Sequence, residues 1–552
     1  MLAASLAAPV QAGTLTLTVK EAASSAAIPA RVEGQGADGR YVVAADALPY
    51  ASDCRMSKPG AGLLDDAASV QPFTGRLGIE NPYTGSTQFY STGRSTISLP
   101  PGRATVRVFK GPEFAVAETQ VDVPASGTVE LSVPLRRWTN MPAKGWYSGD
   151  DHLHIQRTTP DDNRHVSAMM QAEDVHVANL LQMGKVGDFA IAPQYAHGPA
   201  GHYQQGHYIL AAGQENPRSH FLGHTITLGA KRTHYNEEQY LVYRLIWEQT
   251  VKEGAINGYA HAVFPYASFI APHDGLAVVV PHGLMHFLEV LQFDRTGYDI
   301  WYDLLALGLR ITPTAGTDYP CGGQAIPGHE RFYTKVDGPL TYNAWLDSVR
   351  TGRTFVTTGP VVELSVNGED IGATVALDAP GMVKVTGTVT FDPARDSLSF
   401  VELLQDGEVV GRYSPVAGAS KIAFAVDQPV ERGGWLAVRG YGTKLDELPF
   451  PTPVIFGTFA PNTNFHTAPV YVTVAGQPGI EQSERTRRVA KAFIARLDDL
   501  ARVLGEDNHT TLAPRLERPT IDAVPEAVLT SSRPRLLEEI NIAKAYFAGF
   551  LD

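Results

Sequence analysis

The chain has 552 residues, of which 44% are hydrophobic and 19% are charged, and its formal net charge at pH 7 is −13. This composition is typical of a folded globular protein, and the length predicts roughly three or four structural units. The acidic balance argues against a nucleic-acid partner. No apolar run approaches the roughly 20 residues that span a bilayer, so membrane insertion is not expected.

The first twelve residues, MLAASLAAPVQA, are small and apolar and end in Val10-Gln11-Ala12. They resemble the end of a signal peptide with its small-residue cleavage site, although a basic leading segment is absent. An apolar tail without a targeting role is the alternative. We expect residues 1–12 to be a signal-peptide remnant and the protein to be exported, to a bacterial periplasm.

Two segments show the period-two alternation of β-strands. Residues 13–140 carry the runs TLTLTV, ATVRVF and TVELSV between Gly, Pro and Ser, which predict an N-terminal β-sandwich-like domain. Residues 361–478 carry MVKVTGTVTF and a hairpin turn signal at Asp406-Gly407, which predict a C-terminal β-rich domain.

Residues 141–360 differ from both flanks, because short apolar runs such as YILAAGQE, HTITLG and LAVVV alternate with helical stretches. Alternating β and α units of this length predict a fold with a parallel sheet or a barrel. A barrel places its functional groups at the C-terminal ends of its strands.

The tail, residues 479–552, predicts helices. Hydrophobic residues recur at helical spacing from Val489 to Leu504, and this helix is expected to end at Gly505. Pro534 is expected to open a second helix, since proline is favoured at the first helical position. A homodimer contact through this tail is one possibility.

The chain has two cysteines, Cys54 and Cys321. They could pair, but nothing in the sequence requires a disulfide. Two free, partly buried thiols are therefore the expectation.

Histidines concentrate in the middle of the chain, where fifteen of the seventeen lie between His152 and His329. Imidazole is the commonest metal ligand in proteins. Several predicted strands also end in ligand-type side chains, and these are His152, His154, Glu215, His224, His261 and Asp318. One such residue is usually structural, but six in one domain predict a shared cation, because buried uncompensated charges are costly. Nitrogen and oxygen donors of this kind suit Zn²⁺, Mn²⁺ or Fe²⁺.

The same segment resembles the polymerase-and-histidinol-phosphatase (PHP) metallohydrolases, and specifically their carbaryl-hydrolase-like branch. The matching motifs are GDDHLH, AAGQE, LGHTITLG, GYAH, AGTDYP and GRTFVTTGP. The resemblance implies a distorted (β/α)7 barrel with β-rich modules beside it.

The resemblance also implies that the six residues bind two divalent ions, with Glu215 bridging them. Asp150 would orient an imidazole from behind the ligands. Asp151 occupies a position that is usually apolar in the family and receives no role. Many PHP enzymes carry an Asp-His pair that helps hold a third ion, whereas this chain has Gln182 near that place. Gln182, like Asp150, is expected to support the ligands from behind. A dinuclear or mononuclear site is therefore favoured over a trinuclear one.

The implied activity is cleavage of an amide, carbamate or carboxylic ester bond of a small molecule by a metal-bound hydroxide. Glu215 and Asp318 are the implied catalytic ligands, and Tyr319 and His282 are candidates for protonating the leaving group. Two alternatives stay open, namely a phosphoesterase on the same barrel and a metal-containing binding protein without turnover.

Further polar residues lie close to these motifs in the sequence. Arg157 follows GDDHLH and could steady an anionic substrate, although a salt bridge is the commoner fate of such an arginine. His197, His202 and His207 lie on a stretch rich in Gly, Pro and Gln that reads as a loop. They could line the substrate pocket or be ordinary surface residues.

Overall fold

The computed structural model describes residues 13–49, 77–80, 85–183, 192–219, 222–264, 273–321, 326–444, 462–505 and 524–551. The protein is mixed α/β, with most of its regular structure in strands. It divides into two compact units, the first of Met1–Ser52, Phe73–Asn140 and Arg164–Val175, and the second of Asp53–Pro72, Met141–Asn163 and His176–Asp552. The five predicted segments remain a prediction, and the first of them, residues 1–12, lies outside the described residues.

The first unit contains two sheets around one core. Its strands are β1 (Gly13–Glu21), β2 (Ala30–Gln35), β3 (Tyr41–Val42), β4 (Ile79–Glu80), β5 (Thr87–Ser91), β6 (Arg94–Leu99), β7 (Gly102–Phe109), β8 (Ala117–Val123) and β9 (Thr128–Leu135). One sheet has the order β6-β1-β9, and the other has the order β4-β5-β2-β7-β8 with β3 paired to β2. Burial alternates along β1 and β6, because successive side chains of a strand point to opposite faces. The buried faces of both sheets contribute to one hydrophobic core, for example through Leu17 and Val106.

The second unit begins with a run of strands and helices. They are β10 (Trp146–Leu153), α1 (Asp162–Ala172), which continues into the first unit, β11 (Val177–Met183), β12 (Tyr203–Gln205), β13 (Tyr208–Ser219), β14 (Gly223–Leu228), α2 (Tyr243–Lys252), β15 (Ile256–Tyr259), α3 (Leu276–Val279), β16 (Met285–Gln292), β17 (Arg295–Thr296), α4 (Tyr298–Ala306), β18 (Thr312–Ala315), β19 (Arg331–Lys335), α5 (Tyr342–Arg350) and β20 (Thr354–Thr357).

Seven of these strands pair successively in the order β10, β11, β13, β14, β15, β16, β18. The expected parallel arrangement is wrong at β14, which is antiparallel to both of its neighbours. Three residues separate β13 from β14, too few for the crossover that a parallel pairing requires. Among the described residues no ladder joins β18 to β10, although a bridge links Leu153 to Tyr319. Closure into a barrel therefore remains a prediction.

The second unit ends with β21 (Val361–Val366), β22 (Glu369–Asp370), β23 (Thr374–Leu377), β24 (Gly381–Thr390), β25 (Asp396–Gln405), β26 (Glu408–Tyr413), β27 (Lys421–Val430), β28 (Gly434–Lys444), β29 (Asn462–Thr467), β30 (Val470–Val474), α6 (Glu484–Gly505) and α7 (Glu526–Ala548). Strand β29 pairs with β20, so β23, β25, β26, β28, β29 and β30 belong to the same 17-stranded sheet as β10 to β20. Strands β22, β21, β24 and β27 form a separate sheet in that order. The predicted hairpin is confirmed, since β25 and β26 pair around Asp406 and Gly407, both with positive φ.

The helical tail was predicted well at α6 and less well at α7. Helix α6 ends at Gly505 and buries the hydrophobic residues at helical spacing, namely Val489, Phe493, Leu497, Leu500 and Leu504. Helix α7 begins at Glu526 and contains Pro534 in its interior, so the prediction that Pro534 opens it is wrong. An interior proline leaves the carbonyl of Thr530 without its helical donor. None of the helices in the described part of the chain has the length and apolar composition needed to cross a bilayer.

An ionic cluster holds α7 against the middle of the second unit. The buried carboxylate of Glu539 lies 2.7 Å from Arg244 Nη2 and 2.8 Å from His282 Nε2. Burial alone would raise the pKa of Glu539, but the hydrogen bonds from His282 and Arg244 outweigh it and lower the pKa to about 2. The ionised carboxylate therefore contributes to the stability of the folded state.

We expect Glu539→Gln to lower the free energy of unfolding by about 2 kcal/mol at pH 7, since the guanidinium of Arg244 loses its counter-charge and His282 loses a carboxylate partner. The folded pKa lies below the ordinary value of 4.5, so this contribution is complete above pH 4.5 and is lost as the pH falls towards 2. Urea unfolding of both proteins at pH 7 and pH 3 should show a smaller difference at pH 3. An equal difference at the two pH values would contradict this assignment.

Candidate metal centre

Strand ends bring the six predicted ligand residues together. His152 lies on β10 with His154 just beyond it, and the others lie on or directly after β13, β14, β15 and β18. His261 and Asp318 both have positive φ, +46° and +54°, in the left-handed region that residues other than glycine seldom adopt. Backbone conformations of this kind cluster at functional sites.

The first half of the centre joins both histidines of the opening motif to two carboxylates. Glu215 Oε2 lies 3.6 Å from His152 Nε2 and 3.3 Å from His154 Nε2. Asp318 Oδ1 lies 3.6 Å and 3.1 Å from the same two nitrogens. His152, His154 and Glu215 form a buried group whose ligand atoms lie within 4.8 Å of one another and that could hold a cation, with Asp318 beside both imidazoles.

The second half uses the other oxygen of Glu215. Glu215 Oε1 lies 2.8 Å from His224 Nδ1 and 3.6 Å from His261 Nε2. These three residues form a second buried group whose ligand atoms lie within 4.8 Å of one another. The carboxylate of Glu215 thus faces a different pair of imidazoles with each oxygen, as a bridging ligand would.

The buried donor atoms fit a divalent ion. His152 Nε2, His154 Nε2 and Glu215 Oε1 have no hydrogen-bond partner in the described part of the chain. The opposite ring nitrogens are engaged, since His152 Nδ1 lies 3.3 Å from both oxygens of Glu289 and His154 Nδ1 lies 3.0 Å from the carbonyl of Leu181. Metal-binding imidazoles have this arrangement, with one nitrogen hydrogen-bonded and the other turned to the ion.

The electrostatics of the centre show how strongly its charges interact. Burial alone would lower the pKa of His152, but the carboxylates of Glu289 and Asp318 raise it well above its ordinary value. Burial would raise the pKa of Glu215, but the guanidinium of Arg218 holds it well below its usual range. These directions favour an ionised carboxylate at Glu215 and a protonated imidazole at His152. A metal ion that binds there therefore displaces a proton.

Glu289 on β16 is a functional residue that sequence reasoning missed. Its carboxylate is fully buried, contacts His152 and accepts the backbone N–H of His261 at 2.6 Å. A buried anion behind a metal-binding imidazole fixes the ring and raises its basicity. The signal was present in the sequence, because a glutamate in the apolar run FLEVLQF needs a partner.

We expect Glu289→Gln to weaken metal binding by about 10- to 100-fold, since an amide cannot hold the imidazole of His152 as a carboxylate does. A competition titration against a chromophoric chelator measures this affinity. Glu402→Gln is the matched control, because Glu402 is also buried but pairs with Arg412 and Arg439 on the strands around β25. Equal affinities in the wild type and Glu289→Gln would contradict this role.

The sequence predicted that Asp150 orients an imidazole, but in the structure its carboxylate contacts backbone groups and a hydroxyl instead. Its carboxylate accepts the backbone N–H groups of His152, Thr317 and Gly328 at 3.0, 3.2 and 2.9 Å and the Thr317 hydroxyl at 2.7 Å. Burial raises the pKa of Asp150 to about 6. Asp150 therefore connects β10 to the segment that carries Asp318. The imidazole of His152 is held by Glu289 instead, which has the role that was expected of Asp150.

Gln182 also lies elsewhere than predicted. It is in register with Gln214, one position before Glu215, and so lies on the opposite face of the sheet. Its side-chain oxygen accepts the backbone N–H of Gln194 at 3.3 Å. It supports the segment around Gln194 rather than the ligands.

The two candidate proton donors have different surroundings. The Tyr319 carbonyl accepts the backbone N–H of His154 at 2.7 Å, and its side chain is buried. A proton-donor role for its hydroxyl stays a prediction. His282 pairs with Glu539 of α7, so it serves the attachment of that helix and its predicted catalytic role is corrected.

Cys321 is disulfide-bonded, so its predicted free thiol is wrong. Cys54 lies outside the described residues. The sulfur of Cys321 lies within 4.8 Å of the ligand atoms of His154 and Asp318, but a disulfide sulfur offers no thiolate to a metal.

Arg218 is a second residue of the centre that the sequence did not predict. The register between β13 and β14 shifts between Glu215 and Arg218, and a bulge of this kind re-aims a side chain. Its guanidinium is buried, with Nη1 3.4 Å from Glu215 Oε2 and Nη2 3.4 Å from His224 Nδ1. The Tyr240 hydroxyl hydrogen-bonds to both the N–H and the carbonyl of Arg218. The centre therefore includes a fixed positive charge.

Comparison with known proteins adds little to this geometry. No family model matches the sequence, and no curated protein matches it. A solved structure from Bacteroides vulgatus, a two-domain protein containing a predicted PHP-like metal-dependent phosphoesterase, is similar over 54% of this chain and 95% of that chain. The identity is 12% and the TM-score is 0.30, so the likeness carries no argument about fold or chemistry.

Proposed function

We propose that the protein is a metal-dependent hydrolase that cleaves an amide, carbamate or carboxylic ester bond of a small molecule. One observation carries the proposal. The buried carboxylate of Glu215 faces His152 and His154 with one oxygen and His224 and His261 with the other, and donor atoms on both sides have no hydrogen-bond partner among the described residues.

A divalent ion held by these ligands would supply a Lewis acid and lower the pKa of a coordinated water towards about 7. The surrounding residues orient the site. Glu289 and the Leu181 carbonyl fix the two imidazoles of the opening motif, and Asp150 holds the segment that presents Asp318. Arg218 places a positive charge where a hydrolytic reaction develops negative charge.

The resemblance to the carbaryl-hydrolase-like branch favours a carbonyl carbon as the point of attack. The sequence also lacks the Asp-His pair that helps hold a third ion in many PHP phosphatases. A phosphoesterase on the same ligands is the second candidate. Arg218 favours it, because a guanidinium matches the geometry of phosphoryl oxygens.

Export to an oxidising compartment belongs to the same proposal. Disulfides persist in secreted and periplasmic proteins and are rare in the cytosol. The disulfide bond of Cys321, close to the ligands His154 and Asp318, supports this location.

A substrate panel tests the proposal. Protein stripped with a chelator and then reloaded with Zn²⁺ or Mn²⁺ is assayed against 4-nitrophenyl acetate, a 4-nitrophenyl carbamate and 4-nitrophenyl phosphate. We expect turnover to depend on reloading and kcat/KM to be highest for the acetate or the carbamate. A preference for the phosphate would establish the second candidate, and turnover without metal would contradict both.

A further inference from the structure

Arg157 is a buried cation whose hydrogen-bond partners are neutral side chains. It lies three residues beyond His154 and its side chain has no exposed surface. Its Nε donates to Gln194 Oε1 at 2.8 Å, its Nη1 donates to Asn163 Oδ1 at 2.9 Å, and the guanidinium lies 5.2 Å from the ring centre of Tyr195. The salt bridge that sequence reasoning favoured is not made with any carboxylate of the described residues.

Asp162, the acidic residue near Arg157, is already hydrogen-bonded to other groups. Asp162 Oδ2 accepts the backbone N–H groups of Thr158 and Thr159 at 2.7 and 2.9 Å, together with the Thr158 hydroxyl at 3.1 Å. A guanidinium stays charged in proteins, and a buried charge without a counter-ion costs several kcal/mol. The third nitrogen of Arg157, Nη2, is buried and has no hydrogen-bond partner in the described part of the chain.

Two imidazoles add further unused nitrogen atoms. His197 and His202 flank the short 3₁₀ turn Gly198–Gly201, which begins three residues after Tyr195. The Nε2 atom of each lacks a hydrogen-bond partner among the described residues, and each side chain is partly exposed. His197 lies two residues beyond Tyr195, whose ring lies against the guanidinium of Arg157. Burial lowers the pKa of both imidazoles, and the nearby charge of Arg157 lowers it further.

We propose that Arg157, His197 and His202 form an anion subsite that binds a carboxylate or phosphate group of the substrate. The guanidinium supplies the counter-charge and the free N–H groups of Nη2, and the Nε2 atoms of the two imidazoles add further hydrogen bonds. Three residues span at most roughly 11 Å, so the subsite lies within the length of a small molecule from His154. The inference rests on the proposed function in one respect, which is that the bound anion belongs to the substrate of the metal centre.

Ligand-observed NMR titrations with acetate and with methyl phosphate test the subsite. Four full-length proteins are compared, namely the wild type, His152→Ala/His154→Ala, Arg157→Gln and Arg164→Gln. The double variant removes anion binding by the metal centre. Arg164→Gln removes an exposed positive charge seven residues from Arg157 and is the matched control.

We expect one of the two anions to bind saturably to the wild type, with Kd unchanged within about twofold in the double variant and in Arg164→Gln. Arg157→Gln should weaken binding at least tenfold. The preferred anion identifies the group as carboxylate or phosphate. Binding that disappears in the double variant and persists in Arg157→Gln would place the anion on the metal and overturn the subsite, as would no saturable binding to the wild type.

A second variant covers the case in which Arg157→Gln does not fold. His202→Gln changes a partly exposed side chain, and we expect it to weaken anion binding at least threefold; an unchanged Kd would overturn the subsite. Failure of the hydrolase proposal can be told apart from failure of the subsite. In that case the wild-type protein would bind no metal but would still bind the anion through Arg157.

Discussion

Replacing Glu215 with glutamine is expected to remove bound metal and to lower hydrolysis by about 10³-fold or more. The carboxylate is shared by both halves of the centre, so one substitution removes a charged ligand from each. Several kcal/mol of transition-state stabilisation are lost with them. Metal content and kcat/KM of purified Glu215→Gln, beside the wild type, measure the effect.

The control for this experiment is Glu402→Gln, which changes an equally buried glutamate on β25 that pairs with arginines. It should keep the wild-type metal content and turnover. If Glu215→Gln retained its metal and more than about a tenth of the turnover, Glu215 would not be the shared ligand.

Gly316→Ala is expected to have the second-largest effect, without removing any ligand. Gly316 follows β18, and a Cβ atom there would lie 2.5 Å from Glu289 Oε1, 2.5 Å from His152 Cβ and 2.6 Å from Asp151 Oδ1. Such distances force the carboxyl groups and the imidazole apart. We expect metal affinity to fall by about 100-fold and the free energy of unfolding to fall by about 1–3 kcal/mol.

Chelator competition and urea unfolding measure these two quantities. Gly505→Ala is the control, because no atom lies within 4 Å of a Cβ atom built at Gly505, at the end of α6. Unchanged metal affinity in Gly316→Ala would show that the packing behind His152 does not matter for the centre.

Much of the candidate centre could be predicted from the sequence, because its ligands follow a local rule. His152 and His154 stand two positions apart, Glu215 follows the apolar part of β13, and His261 and Asp318 lie beyond the ends of β15 and β18. The C-terminal ends of parallel strands meet at one edge of a sheet, and because β14 is antiparallel to its neighbours, its first residues, with His224, lie at the same edge. Helix α6 was predictable for a similar reason, since its buried positions follow from helical spacing alone.

The features that were missed depend on contacts between distant parts of the chain. Glu289 supports His152 across 137 positions, and Asp150 reaches Gly328 across 178. The pairing of His282 with Glu539 joins the middle of the chain to its last helix. No local pattern encodes such partners, so sequence reasoning placed the right ligands and gave several of their neighbours the wrong roles.

Elemental analysis by inductively coupled plasma mass spectrometry tests the central claim most directly, with wild type and His152→Ala/His154→Ala purified in parallel. We predict bound Zn, Mn or Fe in the wild type, with up to two equivalents if Glu215 bridges two ions, and loss of that metal in the double variant. No metal in either protein, even after reloading with Zn²⁺ and Mn²⁺, would contradict the metal centre and the hydrolase proposed from it.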